Sequence, residues 1–97
     1  MSVNRNHTLG TFFRAGERLT GIIHTSAFQG RMVFRPDGHE EGRLIASING
    51  WRVGHADRRI AAGSSPEYDV VLDQHILAEA FRAELVLTEH CYILRTQ

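Results

Sequence analysis

The dipeptide Asn49-Gly50 lies between two runs of β-forming residues, "RLIASI" (43–48) and "WRVGHA" (51–56). A two-residue type I′ turn needs positive φ at both central positions, and Asn-Gly adopts that conformation with little strain. The pair therefore predicts a hairpin, and it makes sheet the frame into which the rest of the chain must fit. Across the turn Ile48 is expected to face Trp51, with Ala46 opposite Val53 and Leu44 opposite His55. That pairing gives one largely apolar face and leaves Arg52 on the other. Trp51, the chain's only Trp, is then expected in the core. The end of this stretch, "GHADRR" (54–59), reads as a charged loop.

Other segments read the same way. "RLTGIIHTS" is a strand with Ile22 and Ile23 at its centre. "RMVFR" alternates, with Met32 and Phe34 on one face and Arg31, Val33 and Arg35 on the other. "PDGHEEG" (36–42) carries turn chemistry. "YDVVLD" is a further strand, and "LVLTEHCYILR" is either one long strand or a pair bent near Glu89-His90. Two segments read as helix. In "TLGTFFRAG", Thr8 can cap and Gly16 can stop a short helix, with an irregular arm packing Phe12 and Phe13 as the alternative. In "DQHILAEAFRAEL", Asp73 caps a helix running to about Glu84. Ile76, Leu77, Ala80, Phe81 and Leu85 form its apolar stripe, with His75, Glu79 and Arg82 opposite. The expected architecture is α+β. It is a single domain over 1–97, an antiparallel β-meander or partial barrel of about five or six strands with one C-terminal amphipathic helix.

Composition narrows the function classes. The chain has 97 residues, enough for one modest core. Eleven basic residues balance eleven acidic ones, and there is no polybasic block. A neutral chain lacks the net field that favours general binding to nucleic acid or membrane. All the basic residues are Arg, the side chain suited to two-point contact with carboxylate or phosphate. GC-rich coding gives the same bias. No apolar run reaches the roughly 18 residues that span a bilayer, and "MSVNRNHTLG" lacks the apolar core of a signal peptide. A cytoplasmic location is expected. The lone Cys91 can form no intramolecular disulfide and no cysteine-based zinc site. Its apolar setting in "HCYIL" predicts a small buried residue.

Six His raise the question of a metal. The candidates are His39 with Glu40 and Glu41, His55 with Asp57, His75 with Glu79, and His90. No two His stand at the spacings of a metal-ligating pair, so neither metal nor cofactor is expected. Gly30 to Gly38 has the Gly-x5-Pro-x-Gly spacing that resembles the second motif of cupins, small metal-binding β-barrels. That motif continues with a His after two more residues, where this chain has Glu41, and its first motif has no counterpart upstream. The likeness is that of a strand and a turn. The chain has no G-x-S-x-G elbow, P-loop or G-x-G-x-x-G motif, so no enzyme is expected.

The functional expectation is a small non-enzymatic protein-interaction or assembly module, including a homo-oligomer. Arg52, Arg58 and Arg59 form its contact patch for an acidic surface on a protein partner. The second reading is a nucleic-acid-binding small barrel, with Trp51, Arg52, Arg58 and Arg59, or Phe34 between Arg31 and Arg35, as the contact residues. A His-based metalloenzyme is third. No membrane partner is expected.

Overall fold

The computed structural model describes residues 8–25, 28–59, 67–73 and 81–96. These form eight strands: β1 (Thr8–Ala15), β2 (Arg18–His24), β3 (Gln29–Pro36), β4 (Arg43–Ile48), β5 (Trp51–Arg59), β6 (Glu67–Leu72), β7 (Phe81–Leu87) and β8 (Tyr92–Thr96). Each strand pairs antiparallel with the next, and β8 returns to pair with β1, closing an up-and-down barrel. Closure leaves no free sheet edge.

Alternation along the strands explains the barrel. Ile23, Met32, Phe34, Ala46, Ala56, Val70, Leu72, Ala83, Leu85 and Leu94 all point inward and are buried. Phe12 and Phe34 meet edge to face at the centre, ring centroids 5.1 Å apart. Side chains fill the interior, as in other barrels of about eight strands. Among the described residues no charged side chain is buried there.

The α+β expectation is corrected to all-β. Of the proposed C-terminal helix, 74–80 lie outside the described residues, and Phe81 to Glu84 belong to strand β7. There Ala83 and Leu85 are buried while Arg82 is exposed. Phe81 and Leu85 are four residues apart, a spacing that fits both the helical period and the strand period of two. The Ala, Glu, Leu and Arg around them favour helix locally, and the pairing of β7 with β6 and β8 overrides that preference. The short helix or irregular arm at 8–16 is likewise strand β1, and Gly16 serves the β1–β2 turn with φ 67°. The expected loop "GHADRR" is the continuation of β5, paired through Arg59 with Glu67. The tail is the bent pair, β7 and β8.

The hairpin at Asn49-Gly50 forms as read, with φ 52° and 83° and Ile48 opposite Trp51. Its outer register does not. A one-residue bulge shifts the ladder, so Ser47 pairs with Arg52 but Ala46 with Gly54 and Leu44 with Ala56. Val53 and Gly54 are both buried, Ala56 follows them inward, and His55 turns to the outer face. Trp51 is 76% exposed, not buried. The β5–β6 ladder ends at Gly54–Leu72, with one further bond from the Asp73 N–H to the Val53 carbonyl. Trp51 therefore overhangs the filled interior.

Gly54 is required where β5 crosses β6 closely. A Cβ there would run into the Val71 carbonyl oxygen and crowd Leu72. Gly54→Ala is expected to cost about 1–3 kcal/mol as overpacking against backbone, read as a lower urea midpoint at an unchanged m-value. A wild-type midpoint would show that the bulge relaxes freely.

Candidate interaction face

Charge divides the barrel's outer surface. Every carboxylate carried by a described strand lies on β5, β6 or β7: Asp57, Glu67, Asp69 and Glu84. Register places Arg43, Asp57, Asp69, Glu84 and Arg95 in one row across five strands. Arg43 binds Asp57 at both oxygens, with Nε to Oδ1 at 2.8 Å. Arg59 donates to Asp69 at 3.1 Å, to Glu67 at 2.7 Å and to Glu84 at 3.0 Å. Arg95 donates to the second Glu84 oxygen at 2.6 Å. This belt explains the titration shifts. The hydrogen bond from Arg43 holds the Asp57 carboxyl below its ordinary value, against a smaller opposing effect of burial. Burial pushes the Glu84 carboxyl up, but the bonds from Arg59 and Arg95 together outweigh it and leave the group below its ordinary value.

The three Arg expected as one patch are not gathered. Arg52 is exposed at the start of β5, and Arg58 is exposed at its other end. Six residues of strand separate them, roughly 20 Å. Arg59 is held inside the carboxylate belt. His55 and Asp57, two apart, share the outer face of β5 with Nε2 and Oδ2 3.6 Å apart. On that face His55 has Ile45 and Val71 beside it, neither of them a nucleophile. His39 is on the exposed 37–42 loop, and no three His, Cys, Asp or Glu converge among the described residues. Cys91, expected in the core, is half-buried in the β7–β8 turn, which its backbone closes with Thr88.

A different face emerges on β1–β5. The outward residues of β2, β3 and β4 beyond Arg43 include Arg18, Thr20, Ile22, His24, Arg31, Val33, Arg35 and Ser47, with Arg52 next across the ladder. Arg18, Arg31, Arg35 and Arg52 are all exposed, and none has an ion-pair partner among the described residues. No carboxylate interrupts them on these strands. Phe13 and Ile22, 55% and 52% exposed, are diagonal neighbours on β1 and β2. They line a groove of about 580 Å³ together with Thr11, Thr20, His24 and Arg31. Trp51 projects from the hairpin tip.

Part of this face was readable. Arg31 and Arg35 follow from the alternation of "RMVFR". Phe12-Phe13 and Ile22-Ile23 are adjacent apolar pairs, and in a strand one member of each must face outward. That signal announces exposed Phe13 and Ile22 once both segments are known to be strands.

Compared with known proteins, the chain matches no family model, no curated protein and no solved structure. Among the described residues no helix is long and apolar enough to cross a membrane.

Proposed function

We propose that this small barrel is a non-enzymatic protein-interaction module whose contact face is the outer surface of β1–β4 with the Trp51 hairpin tip. The partner is a protein presenting an acidic surface with apolar spots, and the setting is cytoplasmic. The observation that supports this reading is the segregation of charge. All four strand carboxylates are engaged by Arg43, Arg59 and Arg95, while Arg18, Arg31, Arg35 and Arg52 have no ion pair among the described residues and share the outer face with exposed Phe13 and Ile22. Trp51 stands exposed at the rim, next to Arg52 in sequence. Trp and Arg are the side chains enriched at interface hot spots, and a mixed apolar and cationic face suits a protein better than a bare polyanion. Of the three Arg expected from the sequence, Arg52 belongs to this face. Arg58 and Arg59 do not.

The test compares the native particle purified from its own cells with an Arg31→Glu, Arg35→Glu variant. The unmodified chain is expected to retain an acidic protein, and the variant to lose it with its thermal midpoint unchanged. Trp51→Ala should weaken the same complex by about tenfold or more, as truncating a hot-spot Trp does. Retention of the partner by the charge-reversed variant would remove this face from the interface. The exposed aromatics beside Arg also favour a second reading, binding of single-stranded nucleic acid. Tight binding of an oligo-dT strand that falls steeply with salt would establish it in place of the first.

A further inference from the structure

We propose that the barrel mouth at Arg14 and Tyr68 is a binding site for a small monocarboxylate carried on a short apolar stem. The mouth lies at the end where β1, β3 and β5 finish and β2, β4 and β6 begin, away from the Trp51 tip. A recess of about 320 Å³ opens there, walled by Leu19, Pro36 and Leu44 and edged by Arg14, Glu17 and Tyr68. That volume is at the small end of ligand pockets, which run from about 300 to 1,000 Å³.

The polar groups around the recess fall short of satisfying one another. Arg14 sits opposite the buried Leu19 in the β1–β2 register, so its side chain starts from the inner face of the barrel. Its Nη2 donates to the Tyr92 hydroxyl at 3.2 Å, and its guanidinium carbon is 5.8 Å from the centre of that ring. Arg14 is exposed, so this one contact leaves most of its five N–H groups open to solvent and available to a ligand, and no carboxylate pairs with it among the described residues. Tyr68 is half-buried, and its hydroxyl has no hydrogen-bond partner among the described residues. Arg58, opposite Tyr68 in the β5–β6 register, is exposed and has no ion pair among the described residues.

The chemistry of the occupant follows from these groups. A guanidinium fork takes a carboxylate in two-point contact, and a phenol beside it donates a further bond. Arg14 and Glu17 are the charged side chains that line the recess, and the β3–β4 loop at the same end carries Asp37, Glu40 and Glu41, so a dianion such as phosphate meets more repulsion there than a monoanion does. The walls of Leu, Pro and Leu call for an apolar stem behind the charged head. The site shares no side chain with the proposed interaction face.

The test is a titration of the amide NMR spectrum with sodium hexanoate. Hexanol and inorganic phosphate serve as controls, each to about 20 mM, since a single small site of this kind binds near the millimolar range. Saturating shifts at Arg14, Leu19, Leu44 and Tyr68 with hexanoate alone are expected. Arg14→Gln should weaken binding about tenfold or more through loss of a charge-assisted bond. Tyr68→Phe should weaken it less, and Glu17→Gln should tighten it. Absence of saturating shifts with the unmodified protein overturns the proposal, as does equal binding of hexanol or of phosphate. The Glu17→Gln and Tyr68→Phe variants keep it falsifiable if Arg14→Gln fails to fold.

Discussion

Phe34→Ala should lower the unfolding free energy by about 3–5 kcal/mol, the cost of removing a fully buried ring. The ring has no exposure, and it meets the equally buried Phe12 edge to face at 5.1 Å. Deleting it removes both apolar burial and an aromatic pair. The cavity would form inside a closed sheet, where strands on opposite sides cannot move together without breaking the ladder between β8 and β1. Relaxation is therefore small, which puts the cost at the upper part of the range. A domain of this size has about 5–15 kcal/mol of stability in total, so the variant loses a large share of its margin and its thermal midpoint should fall by more than about 10 °C. Urea denaturation reads the effect as a large drop in midpoint at an unchanged slope. Phe34→Leu keeps most of the volume and should cost well under half as much. A Phe34→Ala loss below about 1 kcal/mol, the size expected for a peripheral ring, would mean that the interior is not packed around this pair.

The same residue shows what was legible in the sequence. Phe34 and Met32 alternate with Arg31, Val33 and Arg35, and that alternation set them on one face; the barrel makes it the inner one, which removes Phe34 from the contact residues of the nucleic-acid reading. The Asn49-Gly50 turn was equally clear, because few other pairs accept positive φ twice. The bulge that follows it was not. A bulge leaves no strong residue signature, yet it changes which face every later side chain of β5 takes. It moved His55 outward. Trp51 kept its place opposite Ile48 but stands beyond the last β5–β6 pair, Gly54–Leu72, where no neighbouring strand covers it, so the most conspicuous residue in the chain was assigned to the wrong environment. The segment from Phe81 failed for another reason. Its residues favour helix by propensity, and a four-residue spacing cannot distinguish the two periods. Only the long-range pairing with Tyr68, Val70 and Tyr92 decides it. The interaction face depends on cross-strand register as well. Arg18, Arg31, Arg35 and Arg52 lie on three separate strands, and no local pattern says that they share a side.

Arg59→Ala tests the carboxylate belt, and its effect should depend on pH. Arg59 bonds Glu67, Asp69 and Glu84, and the Glu84 side chain retains only 14% exposure. Removing the cation leaves Asp57, Asp69 and Glu84 in consecutive register positions with Arg43 and Arg95 only at the two ends of the row. Fully buried pairs lose about 3–5 kcal/mol when one partner is deleted. Arg59 keeps 31% of its side-chain exposure and water screens it, so about 2 kcal/mol is expected near neutral pH. Asp57 and Glu84 titrate below their ordinary values in the folded barrel, so protons bind the unfolded chain more readily than the folded one. The stability these groups contribute is complete above their unfolded values, about pH 5 and higher, and it is lost as pH falls through their folded values. Arg59→Ala removes one of the two cations that hold Glu84 down. The variant should therefore lose less stability on acidification than the unmodified chain does, and the gap between them should shrink toward zero as the carboxylates protonate. Thermal midpoints measured from neutral pH down to about pH 3 would show the two curves converging. A gap of constant size across that range would mean that Arg59 stabilises the barrel by packing its stem along the sheet, and that the belt's charges contribute nothing to the fold.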